Sequence, residues 1–142
     1  MPSRRKSREL ALQMLFQWEV GHHTPDKVLA TFLPALKADE EVKDFARRLF
    51  EGTVGDLGSI DPRLREHAEN WKLERMAAVD RNVLRLATYE LLHYPETPPA
   101  VVIDEALELA RRFSTPDSVE FVNGVLDAVR KSLTVSAAGE KA

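Results

Sequence analysis

The sequence predicts an all-α protein, and three observations carry that prediction. Apolar residues recur at three- and four-residue spacing along nearly the whole chain. No stretch alternates with the period of two that a half-buried strand requires. Thr24-Pro25, Asp61-Pro62 and Thr115-Pro116 each place a capping oxygen before a proline, a repeated helix-start signal. The 142 residues suffice for one core and are too few for two ordinary domains, so one domain over 1–133 is expected, with a disordered tail at 134–142.

About seven helices follow in order. The first spans 3–20 and stops at Gly21. Thr24-Pro25 opens a second with the stripe Val28, Leu29, Phe32, Leu33 and Leu36, which Pro34 shortens or bends. Asp39 caps a third, carried by Val42, Phe45, Ala46, Leu49 and Phe50, and Gly52, Gly55 and Gly58 blur its end. Asp61-Pro62 opens a fourth with Leu64, His67, Ala68 and Trp71 on one side. The fifth, 74–93, has the widest apolar stripe, from Met76 and Val79 to Leu91. Pro98-Pro99 leads into a sixth with Val102, Ile103, Ala106, Leu107, Ala110 and Phe113 on its core side. The last starts at Thr115-Pro116 and buries Phe121, Val122, Val125, Leu126 and Val129. Gly124 in its interior costs about 1 kcal/mol relative to alanine, which suggests close backbone approach.

Composition removes several function classes. No apolar run approaches the roughly 18 residues needed to cross a bilayer, and a cytoplasmic protein fits. Without cysteine there is no disulfide framework, thiolate nucleophile or cysteine-built zinc site. His22 and His23 are adjacent and point apart, with no third ligand at a defined spacing, so no metal is expected. Asp104 and Glu108 form a solvated acidic face, and the glycines at 52, 55 and 58 lack the setting of a phosphate loop. Neither catalysis nor a cofactor is implied.

The charge distribution says more than the net charge of −3. Arg4, Arg5, Lys6 and Arg8 place four cations within five residues, with no acid before Glu9. Such a run is either a solvated chain end or a local site for a polyanion. At about 100° per residue, Leu10, Ala11, Met14, Leu15 and Trp18 fall within roughly 140°, a normal buried face. Phe16 lies roughly 170° from the centre of that arc, with Arg5 and Leu12 within about 40° of it. Its ring either stacks on an RNA base beside the arginines or packs under another helix. Thr115, Asp117 and Ser118 at the last helix start could hold a base edge or serve as a simple cap, because Asp117 opposes phosphate. Asp80-Arg81 interrupts the fifth helix as an exposed contact or a buried pair.

Four blocks resemble the NusB family of bacterial transcription antitermination factors. They are Arg4-Arg5-Lys6-Ser7-Arg8-Glu9 with Ala11-Leu12-Gln13 and Trp18, Val79-Asp80-Arg81-Asn82-Val83-Leu84-Arg85-Leu86-Ala87 running into Tyr89-Glu90-Leu91, Ile103-Asp104-Glu105-Ala106 with Glu108-Leu109-Ala110, and Asp117-Ser118 followed by Phe121-Val122-Asn123-Gly124-Val125-Leu126-Asp127. The resemblance implies two packed helical bundles within one unit and a non-catalytic role. It implies partnership with the ribosomal protein NusE on the boxA element of nascent ribosomal RNA, alongside NusA, NusG and RNA polymerase. By position it places Arg4, Arg5, Lys6, Arg8 and Phe16 on RNA, adds 114–121 including Ser114, Thr115, Asp117, Ser118 and Phe121, and turns Asp80 and Arg81 toward NusE. Phe16 stands where the family often has tyrosine, so a stacking face is kept and a hydroxyl is lost. Some members self-associate and cover this surface, so the resemblance also admits a homodimer.

Overall fold

Thr24 caps its helix as predicted: its Oγ1 accepts from the Lys27 N–H at 3.2 Å, and Pro25 takes the first helical turn. The computed structural model of the chain describes residues 4–68 and 72–141, with the backbone alone for 135–141, and in it Asp39 stands at the N-cap position of its helix without a side-chain cap hydrogen bond. Among the described residues there are seven α-helices: α1 (Arg4–Val20), α2 (Pro25–Phe32), α3 (Glu40–Gly55), α4 (Leu57–His67), α5 (Ala78–His93), α6 (Pro99–Phe113) and α7 (Pro116–Lys141). The tail expected at 134–142 falls, beyond Thr134, outside the described side chains, and Trp71 lies outside the described residues.

Two boundaries differ from expectation for identifiable reasons. Helix α4 starts at Leu57, not at Asp61, because Asp56 both ends α3, donating its N–H to Gly52 O at 3.0 Å, and begins α4. Pro62 therefore sits inside α4, where it lacks the N–H that would bond the carbonyl one turn back. Asp61 is not a cap but receives Arg85, Nε to Oδ1 and Nη2 to Oδ2, both at 3.0 Å. Helix α5 starts at Ala78, not at residue 74, because Leu73–Arg75 form a separate 3-10 turn and Met76 and Ala77 are extended. Arg81 fixes this break by donating from Nη1 to Leu73 O at 3.1 Å and Met76 O at 2.8 Å. Leu73 and Met76 stay buried across it, so the apolar stripe reads as unbroken in sequence.

Helix α5 lies between two groups. Helices α1 and α3 pack on it from one side, with α2 against both, and α4, α6 and α7 pack on it from the other. This is the expected pair of bundles, with α5 shared. Leu10, Met14 and Leu15 of α1, Leu49 and Phe50 of α3, Leu84 and Leu86 of α5, and Leu126 of α7 are fully buried in one core. Each such side chain contributes about 1.5–3 kcal/mol through its removal from water. No helix among the described residues is long and apolar enough to cross a membrane.

Candidate nucleic-acid interface

The basic start of α1 divides into surface and buried cations. Arg8, only 7% exposed, grips Glu90 of α5 bidentately, Nε to Oε1 at 2.6 Å and Nη2 to Oε2 at 2.9 Å. Two parallel charge-assisted bonds suit a buried pair, since either charge alone would be costly there. Arg8 thus lies beneath the surface and fixes α1 to α5. Arg5 bridges to α6 through Glu105, with both bonds at 3.0 Å, and its side chain stays 58% exposed. The Arg5 hydrogen bond holds the Glu105 carboxyl below the usual glutamate range. The Arg4 guanidinium lies over the Phe45 ring, 3.7 Å from its centroid, and Lys6 Nζ is 3.8 Å from Glu9. Arg4, Arg5 and Lys6 therefore form the outer basic turn.

Phe16 points outward as the helical angle predicts, with 42% of its surface exposed. It lines a groove of about 260 Å³ with Leu12, Gln13, Gln17, Val79 and Phe113. Leu12, placed on the same outward side by angle, is buried. The outer flank of α1 is partly covered by residues from α5 and α6, which a wheel drawn on one helix does not show. Phe113, expected in the core, is instead 38% exposed because it is the last residue of α6 and sits at the edge of that helix's stripe. Arg112, one residue earlier, donates to Glu9 Oε2 at 2.8 Å and keeps its side chain about half exposed. Sequence reasoning missed Gln13, Gln17, Arg112 and Phe113. The spacing of 9, 13 and 16 with Arg5 marks one face of α1 and could have pointed to the glutamines.

The connection from α6 to α7 continues this strip, since Phe113 adjoins Ser114 and Val79 adjoins Asp80. Ser114 donates to Asp80 Oδ1 at 2.6 Å, and Ser118 donates to Asp80 Oδ2 at 2.7 Å. Thr115 Oγ1 lies 3.1 Å from Ser118 Oγ and accepts from the Ser118 N–H at 3.3 Å. Thr115 and Asp117 are exposed, whereas Phe121 is half-buried against the core. Asp80 is 8% exposed.

Asp80 and Arg81, expected to face a protein partner, are both engaged inside the molecule. Beyond its carbonyl contacts, Arg81 binds Glu19 of α1, which also receives Arg85 and the Asn82 amide. Burial alone would push the Glu19 carboxyl up, but the hydrogen bonds from Arg81 and Arg85 outweigh it and hold the group below its usual range. Among the described residues no three His, Asp or Glu side chains gather as a metal site would need.

Between α1 and α6, Arg5 thus reaches Glu105 and Arg112 reaches Glu9, Phe16 and Phe113 line one groove, and the Ser114–Ser118 turn follows Phe113 in the chain. Cations, two ring faces and hydroxyl oxygens match the needs of a single strand with a charged backbone and unstacked bases. A profile of the NusB family matches residues 5–131. The transcription antitermination protein NusB of Koribacter versatilis is 54% identical over 132 residues, 92% of this chain and 90% of its own. The structure of T. maritima NusB is similar with a TM-score of 0.82 at 39% identity, covering 92% of this chain and 93% of that one. A crystal structure of the antitermination factors NusB and NusE in complex with double-stranded RNA gives a TM-score of 0.82 at 25% identity, over 91% of this chain and 96% of that one.

Proposed function

The chain belongs to the NusB family of non-catalytic transcription antitermination factors, and from that membership we propose that it holds the boxA element of nascent ribosomal RNA jointly with NusE. The observation that carries this reading is the strip along the α1–α6 seam, where Arg5 and the exposed rings of Phe16 and Phe113 lie on one surface. Arg4, Arg5 and Lys6 supply phosphate contacts, and Phe16 supplies a stacking face. Arg5 keeps more than half of its side chain exposed beside Glu105, and an ion pair so open to solvent is weak enough to let the guanidinium turn to phosphate. Arg8 serves from beneath by anchoring α1. Ser114, Thr115, Asp117, Ser118 and Phe121 extend the surface at the start of α7. Arg81 shapes the α5 side for NusE through its hold on Glu19 and the 3-10 turn. The assembly then acts in the cytoplasm with NusA, NusG and RNA polymerase. A homodimer formed through the apolar groove would cover the RNA surface, so self-association and RNA binding are alternatives.

A fluorescence titration of boxA RNA, with NusE present and across a salt series, tests the reading. Arg5→Ala should weaken binding and reduce the salt slope by about 0.7, the contribution of one single-strand phosphate contact. Phe16→Ala should remove about 1–3 kcal/mol if a base stacks there. Absence of binding by the unaltered protein in the presence of NusE would overturn the reading.

A further inference from the structure

The buried carboxylate of Asp80 receives hydrogen bonds from two serines on either side of the α6–α7 turn, and this geometry fixes which way their hydrogens point. A hydroxyl has a single hydrogen, and a carboxylate accepts without donating. Ser114 therefore directs its hydrogen to Oδ1 and Ser118 directs its own to Oδ2. With the Ser118 hydrogen engaged, Thr115 must be the donor in the 3.1 Å contact between their hydroxyls. All three hydroxyl hydrogens of the turn thus run inward along a relay that ends on Asp80. What the side chains leave to a ligand is lone pairs, joined by the exposed carboxylate of Asp117, with the Asp117 backbone N–H the remaining donor of the first turn. Pro116 has no N–H, and the Ser118 N–H already bonds Thr115 Oγ1.

We propose that Asp80 is a positioning residue for RNA recognition, holding the side chains of the α6–α7 turn as acceptors only, so that this turn selects donor groups of RNA, base amino groups or 2′-hydroxyls, and rejects phosphate. The proposal rests on the RNA-binding reading above and adds a division of labour to it. The basic turn of α1 takes the backbone charge, while the start of α7 discriminates among uncharged groups. Asp80 acts through the serines, not by touching RNA or a protein partner.

Asp80→Asn tests this because it nearly keeps the shape and changes the hydrogen count. The amide oxygen still accepts from one serine, but its NH₂ donates to the other and turns that hydroxyl hydrogen outward. Binding is measured with NusE present to three single strands: boxA RNA, the same RNA with its adenine and cytosine amino groups removed, and its 2′-deoxy counterpart. The unaltered protein should prefer the first over at least one of the others by about two- to tenfold, the factor one neutral hydrogen bond supplies. Asp80→Asn should narrow that preference while leaving NusE affinity and the salt slope unchanged. In a Ser114→Ala, Ser118→Ala background the same change should have no effect on preference, which a merely structural role would not predict. The proposal fails if the unaltered protein shows no preference, if Asp80→Asn leaves the preference intact, or if it alters it equally without the serines. Loss of NusE binding by Asp80→Asn would also overturn it, by making Asp80 a partner contact. If Arg5→Ala and Phe16→Ala weaken binding while Asp80→Asn leaves preference unmoved, only this inference falls. If the unaltered protein does not bind RNA with NusE present, both fall.

Discussion

A Cβ on Gly52 would stand 2.0 Å from the Tyr89 hydroxyl oxygen and 2.1 Å from the ring carbon bearing it, whereas one on Gly124 meets nothing within 4 Å. The close approach expected at Gly124 is therefore absent, and Gly52 is where it occurs. Tyr89 packs against His93 and Tyr94, so its ring cannot turn away without losing those contacts. Urea denaturation should show Gly52→Ala destabilising by about 1–3 kcal/mol through overpacking. Gly124→Ala should stabilise by about 0.5–1 kcal/mol, since helical alanine loses less conformational freedom on folding. The sequence displays what a helical glycine costs but not what faces it. The same limit explains the site residues. The outward angle of Phe16 is a property of one helix and was legible, while the burial of Leu12 depends on residues of α5 and α6 far away in sequence. Arg8 and Arg5 look alike in sequence, and only the position of Glu90 separates an anchor from a surface cation.

At the scale of elements, cap-plus-proline signals located α2 and α7 correctly and misplaced α4. The reason is local: Asp56 serves two helices at once, and Asp61 is needed by Arg85. The break before α5 was illegible for a different reason, because the stripe of Leu73, Met76 and Val83 continues through it. What creates the break is Arg81, which also joins it to Glu19 at the far end of α1. This network has a pH signature. The carboxyl of Glu19 is depressed in the folded state, so its stabilising contribution is present above the ordinary glutamate value of about 4.3 and is lost as pH falls through the folded value. Denaturation midpoints measured from pH 7 down to pH 3 should therefore fall more steeply in the unaltered protein than in Glu19→Gln, which has no carboxyl to protonate. Parallel profiles would remove Glu19 from the acid transition.

For the molecule as a whole, α5 is in contact with α1, α3, α4, α6 and α7, so neither bundle can open without uncovering it. Native-state hydrogen exchange should find the slowest amides in the middle of α5, near Leu84 and Leu86, at the free energy of global unfolding. Slower exchange elsewhere would mean that the two groups unfold independently. The overall architecture was legible because helical periodicity is local and recurs throughout, whereas the sharing of α5 is a property of packing. The whole chain carries a net charge of −3, so its overall field does not favour binding to arbitrary RNA, and the outer basic turn is a local exception. The buried grip of Arg8 on Glu90 bears on how that turn works. A basic segment that had to become helical on meeting RNA would forfeit part of its binding energy to ordering, on the order of 1–2 kcal/mol for each residue fixed. Here the fourth helical residue after Arg4 is bolted to the centre of the fold, so the cations ahead of it stand already aligned. An RNA held by this turn would meet a helix already formed, and the entropy of ordering would fall mainly on the RNA.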